Sequence, residues 1–339
     1  MGPNFSKRRR KLRNLMAKKG MGAILTSNHN DVFYYTGYKG LKEDTIFMVF
    51  PVKEDPKVVV TSLENDADLK YKNVVFIDSI KDFLDQLKPY KRIGYDEGTL
   101  RVILYKELEK LNAKLEPAGK MLEIPRMVKE PYEIQQLKKS ISITKKVFEK
   151  IGSFEGKKES EISNEVGILF RKHGVDNAFE SIVSAGTQSA FVHHGPNERV
   201  VKKGDHVLID IGCRVNMYCS DLTRIFFRSL GKKQKAIYED AKHIHNSIID
   251  SIQAGKTYKE IQTFQEKLFK RKGYRVFHNI GHGLGLSVHD PVSNILNKNE
   301  VLTVEPGIYL KNVGGFRVED MVVVKKGKAE VLSKSISVI

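Results

Sequence analysis

The sequence predicts an α+β protein in two parts: a smaller α/β domain over residues 1–127 and a larger domain over 128–339 with mainly antiparallel strands. Three observations carry this reading. Up to residue 127, short apolar runs alternate with helical patterns. From Lys129 onward, long amphipathic helices are followed by β-rich runs. Two of those runs share one layout of acids and glycines. The length of 339 residues agrees, since domains average roughly 150 residues.

The elements follow in chain order. Leu12, Leu15 and Met16 fall at helical spacing behind the basic block Lys7-Arg8-Arg9-Arg10-Lys11 and Arg13. That predicts an amino-terminal helix with one solvated basic face. Ala23–Thr26 reads as a strand running into a turn cluster, Ser27-Asn28-His29-Asn30. Residues 45–52 and 57–61 are β-rich runs broken by Lys53-Glu54-Asp55-Pro56, as in a hairpin. Strands are expected at 74–77 and 92–95, and helices at 80–87 and 100–111. In the second part, helices are expected at 129–151, 158–172, 232–252 and 258–272.

Composition excludes several classes. The chain is 40% hydrophobic and 29% charged, which suits a globular protein and not a disordered one. The longest apolar run, residues 46–52, falls far short of the roughly 20 residues a membrane helix needs. The basic start lacks the apolar stretch of a secretory signal. Two cysteines, Cys213 and Cys219, make neither a disulfide framework nor a four-cysteine zinc module. They are read as a reduced pair, and a cytoplasmic setting is expected. The net charge of +17 is mostly dispersed, as on a solvated lysine-rich surface, so nucleic acid is not expected as a partner.

The repeated layout carries the chemistry. Val207-Leu-Ile-Asp210-Ile-Gly212 parallels Leu302-Thr-Val-Glu305-Pro-Gly307. Each run is followed by a second acid leading another β run: Asp221 after 11 positions, Glu319 after 14. Any one of these acids alone reads as a strand-end carboxylate. Four of them, placed by one rule inside apolar runs, need cationic neutralisation to be buried. Between the hairpins lies a Gly-rich segment with His282 and His289, seven apart, and glycine neighbours let His282 enter a crowded site. One imidazole with four carboxylates suits Mn, Co, Fe or Zn. Two divalent ions would balance the four charges and activate water for hydrolysis.

Asp210, Asp221, His282, Glu305 and Glu319, in this order, resemble the five metal ligands of the pita-bread metallopeptidases. That family includes methionine aminopeptidase, aminopeptidase P, prolidase and creatinase. The resemblance rests on IDIG, SDLTR, GHGLG, VEPGIY and GFRVED together. The first domain, with Phe33-Tyr34-Tyr35-Thr36-Gly37-Tyr38, is similar to that of the aminopeptidase P, prolidase and creatinase branch; methionine aminopeptidases lack it.

The resemblance implies a pita-bread fold behind a creatinase-type amino-terminal domain that serves dimerisation and covers the active site. It implies two divalent ions, Mn or Co foremost, with Asp221 and Glu319 shared between them. Glu305 would also act as general acid/base, and His193, His289 and Arg317 would serve the reaction. Because His193 and His194 are adjacent, His194 is the alternate for the first role. Thr223 and Thr303 would orient carboxylates, with plain β propensity as the other reading. Ser293 stands where many prolidases carry an arginine, in a segment that looks shortened. The expected activity is hydrolysis of the Xaa-Pro bond at the amino terminus of peptides or in dipeptides, by a homodimer without membrane attachment. The rival is a catalytically altered pita-bread protein that binds peptide or nucleic acid.

Overall fold

The computed structural model describes residues 2–40, 46–64 and 71–334. They form two compact units, Met1–Arg126 and Met127–Ile339.

The first unit is built on a six-stranded mixed sheet of β1 (Ala23–Thr26), β2 (Phe47–Pro51), β3 (Lys57–Thr61), β4 (Val74–Ile77), β5 (Arg92–Tyr95) and β6 (Lys114–Pro117), in the order β4-β3-β2-β1-β5-β6. The expected hairpin is present, with Phe47 opposite Val59; Thr45, included in that expectation, lies outside the described residues. Ala23, Leu25, Phe47, Val49, Val59 and Ile93 share one face and pack with Phe83 and Leu108. The two-residue side-chain period of a strand puts them there. Phe83 belongs to α3 (Ile80–Asp85) and Leu108 to α4 (Val102–Leu108).

Two expectations need correction. The cluster at Ser27–Asn30 opens a helix, α2 (His29–Thr36). Asn28 Oδ1 accepts from the backbone N of Asn30 (2.9 Å) and Asp31 (3.4 Å), and Gly37 ends the helix at φ 81°. The basic face of α1 (Phe5–Lys18) is not simply wet. Arg8 is buried, its guanidinium 4.1 Å from the Tyr34 ring centroid, and its Nη1 donates to Tyr34 O at 3.1 Å. Arg9 Nε donates to Tyr35 O at 2.8 Å. The physical reason is that Tyr34 and Tyr35 lie in the last turn of α2, where exposed carbonyls favour cations. The helix α5 (Gly119–Met127) takes the other ends of those tyrosines: Tyr34 Oη donates to Pro125 O and Tyr35 Oη to Leu122 O, at 2.7 and 2.8 Å.

The second unit pairs its strands antiparallel throughout the described ladders. One sheet joins β8 (Ile182–Ala185), β9 (Val207–Ile211) and β12 (Leu222–Phe226). A second joins β13 (Val301–Val304), β16 (Asp320–Val323) and β17 (Glu330–Val331). The pair β14 (Gly307–Leu310) and β15 (Gly314–Arg317) extends the second hairpin, while β10 (Cys213–Val215) and β11 (Tyr218–Cys219), with β7 (Asp176–Asn177), extend the first. The helices are α6 (Pro131–Lys150), α7 (Glu159–Lys172), α8 (Lys232–Ser251) and α9 (Tyr258–Lys272). Ile237, Ala241, Ile244 and Ile248 form one stripe of α8 and pack against alternate residues Leu302, Val304, Val322 and Val324. That packing holds the second hairpin rigid at its acidic end. Cys213 and Cys219 are free and buried, and burial pushes the Cys219 thiol up to about 11.

Candidate metal centre

The two hairpins deliver their acids at or within one rung of their ladder ends. In the first, Asp210 faces Thr223 across the ladder and Asp221 directly precedes β12. In the second, Val304 pairs with Asp320, so Glu305 and Glu319 stand one step past the last rung. The hairpins are tied together there: Glu319 N donates to Thr223 O (3.3 Å), and Arg224 Nη1 donates to Glu319 O (2.5 Å).

His282 enters between them because its neighbour is glycine. Gly281 sits at φ 150°, and a Cβ there would collide with the Thr303 backbone and hydroxyl. The strand-like contacts Thr303 N to His282 O and Glu305 N to Ile280 O, both 2.8 Å, fix the segment beside β13. His282 N donates to Thr303 Oγ1 at 2.9 Å. His282 Nδ1 lies 3.1 Å from Gly283 O, so Nδ1 carries the proton and Nε2 is left as a lone pair. Nε2 lies 3.5 Å from both Asp221 Oδ2 and Glu305 Oε1.

Donor atoms of Asp221, His282 and Glu319 all lie within 4.8 Å of one another. Asp210 and Glu305 adjoin this trio, Asp210 through Asp221 and Glu305 through His282. Burial above all, then the neighbouring carboxylates, hold Asp221 and Glu319 well above the usual carboxylate range. Burial pushes Glu305 up to about 7 and His282 down to about 4. Asp210 Oδ1 is buried with no hydrogen-bond partner among the described residues. A crowd of buried anions, an orphaned oxygen and a neutral imidazole with a bare nitrogen together fit divalent cations.

All eight sequence-predicted site residues line one cavity of about 570 Å³. Arg317 is its organiser: Nη2 donates to Asp210 Oδ2 (2.5 Å), Nε to Thr223 Oγ1 (3.0 Å) and Nη1 to Tyr309 Oη (2.9 Å). Thr223 Oγ1 in turn donates to Glu319 Oε2 at 2.8 Å, so its hydroxyl does orient a carboxylate. Thr303 Oγ1 is 3.4 Å from Glu305 Oε1. The ring centroids of His289 and His282 are 4.2 Å apart. The structure separates the adjacent histidines: His193 lines the cavity, while His194 Nε2 lies 2.7 Å from the buried Glu159 carboxylate. Ser293 is engaged within its own loop, its N donating to Glu300 Oε2 at 3.1 Å.

Sequence reasoning missed two members of the site. Tyr309 sits between Arg317 and His278, its hydroxyl 3.0 Å from His278 Nε2. His278 lines the cavity, and burial lowers its imidazole to about 4. The signal for His278 was its place just ahead of the Gly-flanked His282.

Residues 135–326 match metallopeptidase family M24, and residues 8–128 match the creatinase/prolidase amino-terminal domain. The chain is 29% identical over 343 residues to the Xaa-Pro dipeptidase of Pyrococcus horikoshii, covering 96% of each chain. Among solved structures, it resembles the Xaa-Pro dipeptidase from Bacillus anthracis with a TM-score of 0.92 at 29% identity, covering 99% of each chain. It also resembles the X-Pro aminopeptidase from Thermotoga maritima with a TM-score of 0.87 at 27% identity, over 98% of this chain and 99% of that one. The family and the fold expected from the motifs are those matched.

Proposed function

We propose, for a chain that belongs to metallopeptidase family M24, that it hydrolyses the Xaa-Pro bond at the amino terminus of peptides or in dipeptides. The observation that carries the reading is the meeting of Asp221, His282 and Glu319, with Asp210 and Glu305 adjoining, in a cavity large enough for a short peptide. The substrate class rests on full-length similarity to Xaa-Pro dipeptidases and to an X-Pro aminopeptidase.

Asp210, Asp221, His282, Glu305 and Glu319 would hold two divalent ions, Mn or Co foremost and Zn or Fe as alternatives. Such ions, when bound, supply a Lewis acid for the scissile carbonyl and lower the pKa of the attacking water. Glu305 takes the proton from that water and delivers it to the departing proline nitrogen. His289 and His193 face the same cavity and steady the carbonyl oxygen as charge gathers on it. Arg317 fixes the direction of Asp210.

A cytoplasmic homodimer is the proposed setting. The two buried thiols support the compartment. The exposed Leu63, Val102 and Ile103 of the first unit support self-association. Among the described residues no helix is long and apolar enough to cross a membrane. The binding-module reading is disfavoured, since such a protein has no use for destabilising buried acids.

Metal analysis of protein purified without chelator, with a panel of Xaa-Pro dipeptides and tripeptides and their Xaa-Ala controls, tests the proposal. Undiminished turnover in metal-free protein, or equal turnover of the alanine controls, sinks it.

A further inference from the structure

Away from the carboxylate cluster, Lys129 and Asp290 of the second unit form a buried ion pair. Nζ lies 3.1 Å from Oδ2, and the side chains keep 1% and 2% of their exposure. Desolvation of such a pair tends to cancel its attraction, and apolar residues of similar volume often serve stability as well. A role in holding one local geometry is the better account of it.

The surroundings define that geometry. Asp290 directly follows His289, and its N donates to Gly283 O at 2.8 Å. Residues 283–290 therefore close into a loop with His282 at its mouth and His289 at its end. The glycines inside are small because Asp290 fills the loop. A Cβ on Gly285 would meet the Asp290 carboxylate and, at 3.1 Å, Lys129 Cε; one on Gly283 would meet the Asp290 and Pro291 carbonyls. Lys129 reaches this carboxylate from the start of α6, its own N donating to Asn299 O at 3.0 Å.

We propose that Lys129 is a positioning residue that, by pinning Asp290, sets the direction in which His289 faces the cavity. The proposal rests on the substrate contact proposed above for His289. Removing the cation takes away the tie between Asp290 and the segment that opens α6, and the loop loses that anchor. His289 turns with the loop.

The test is a double-mutant cycle on metal-loaded protein, with Lys129→Met and His289→Ala made singly and together. Lys129→Met is expected to lower kcat at least about tenfold with KM within about threefold and metal content unchanged. In the His289→Ala background the same change is expected to cost less than about twofold. Equal losses in both backgrounds, or full activity in Lys129→Met, overturn the proposal. So does His289→Ala at full rate. Nitrogen-15 histidine NMR supplies a readout that needs no turnover. The His289 ring signal, assigned by its loss in His289→Ala, moves or splits in Lys129→Met; an unmoved signal overturns the inference even if no Xaa-Pro substrate is cleaved. Should Lys129→Met not fold, the charge-free pair Lys129→Met/Asp290→Asn takes its place under the same criteria.

Discussion

Arg317 Nη2 and Asp210 Oδ2 are joined at 2.5 Å, with side chains only 2% and 10% exposed. One oxygen of Asp210 is thereby committed to a guanidinium while the other, Oδ1, is left for a cation. Arg317→Ala is expected to lower kcat by about 10²–10³-fold, by loosening both Asp210 and Tyr309. It should destabilise the metal-free protein by about 3–5 kcal/mol, the scale for a broken buried pair. Steady-state kinetics and denaturant unfolding check the two halves separately.

Chelation is expected to abolish hydrolysis, and Mn or Co to restore it. Asp221→Asn replaces a charged donor of the central trio by a neutral one. A loss of about 10³-fold or more in kcat is expected, with reduced metal content by elemental analysis. Added metal should raise the melting temperature of the wild type in a concentration-dependent way; a flat response contradicts the site.

Stability of the chelator-treated protein should depend on pH through Glu305. Its folded value is raised from 4.5 to about 7, so between those values the folded chain holds a proton that the unfolded chain has released. Stability from this group is full below 4.5 and is lost as pH rises through 7, on the order of 3 kcal/mol. His282 and His278, lowered from 6.5 to about 4, act with opposite sign, adding stability as pH rises from 4 to 6.5. Glu305→Gln removes the carboxylate's share alone. In metal-free protein it should be more stable than wild type at pH 8, with the advantage vanishing toward pH 5. Urea unfolding at both pH values measures this, and a pH-independent difference would contradict it.

Substrate length is expected to be permissive. A strict dipeptidase must grip the free carboxylate next to the scissile bond, for which arginine's planar fork is suited. At Ser293 the side chain offers no charge, and its hydroxyl accepts from Asn297 Nδ2 at 3.2 Å within the loop. Xaa-Pro-Yaa tripeptides should therefore be cleaved at least as well as Xaa-Pro dipeptides. Efficient dipeptide cleavage with strict rejection of tripeptides would show that another cation reads the carboxylate.

The basic block near the amino terminus should serve the fold more than a polyanion. Arg8 and Arg9 bind the end of α2, and Arg13 Nη2 donates to Asp55 Oδ1 at 3.1 Å. Arg8→Ala is expected to cost about 1–3 kcal/mol in unfolding free energy. Titration with RNA or duplex DNA should show no binding; tight binding with a steep salt slope would contradict this.

Legibility in the sequence followed how local each signal was. The acidic hairpins could be read because each packs an apolar run, an acid and a glycine into six residues, and the structure sets those acids at or within one rung of the ladder ends. The helix α2 was hidden because Val32-Phe33-Tyr34-Tyr35-Thr36 has β-type composition, and the deciding signals were its caps, Asn28 and Gly37. Burial of Arg8 was unreadable in a run of like charges, since its partners lie 26 positions away. The pair Lys129–Asp290 spans 161 positions, and neither residue carries a local mark of the other. His193 and His194 were inseparable by pattern, because which one turns inward depends on Glu159, 35 positions upstream.

The division of the centre between two hairpins also sets a schedule for its birth. Asp210 and Asp221 leave the ribosome well before Glu305 and Glu319, and Glu319 follows Asp221 by 98 positions. At roughly 5–20 residues per second, that gap is about 5–20 s. For the first 61 of those positions the emerging half-site has two acids without the imidazole of His282, and until nearly the end of the interval it lacks the guanidinium of Arg317. A nascent chain of this kind has no high-affinity place for a divalent ion. Metal loading is therefore an event of the finished polypeptide, and the ion acquired is set by the pool the completed protein meets.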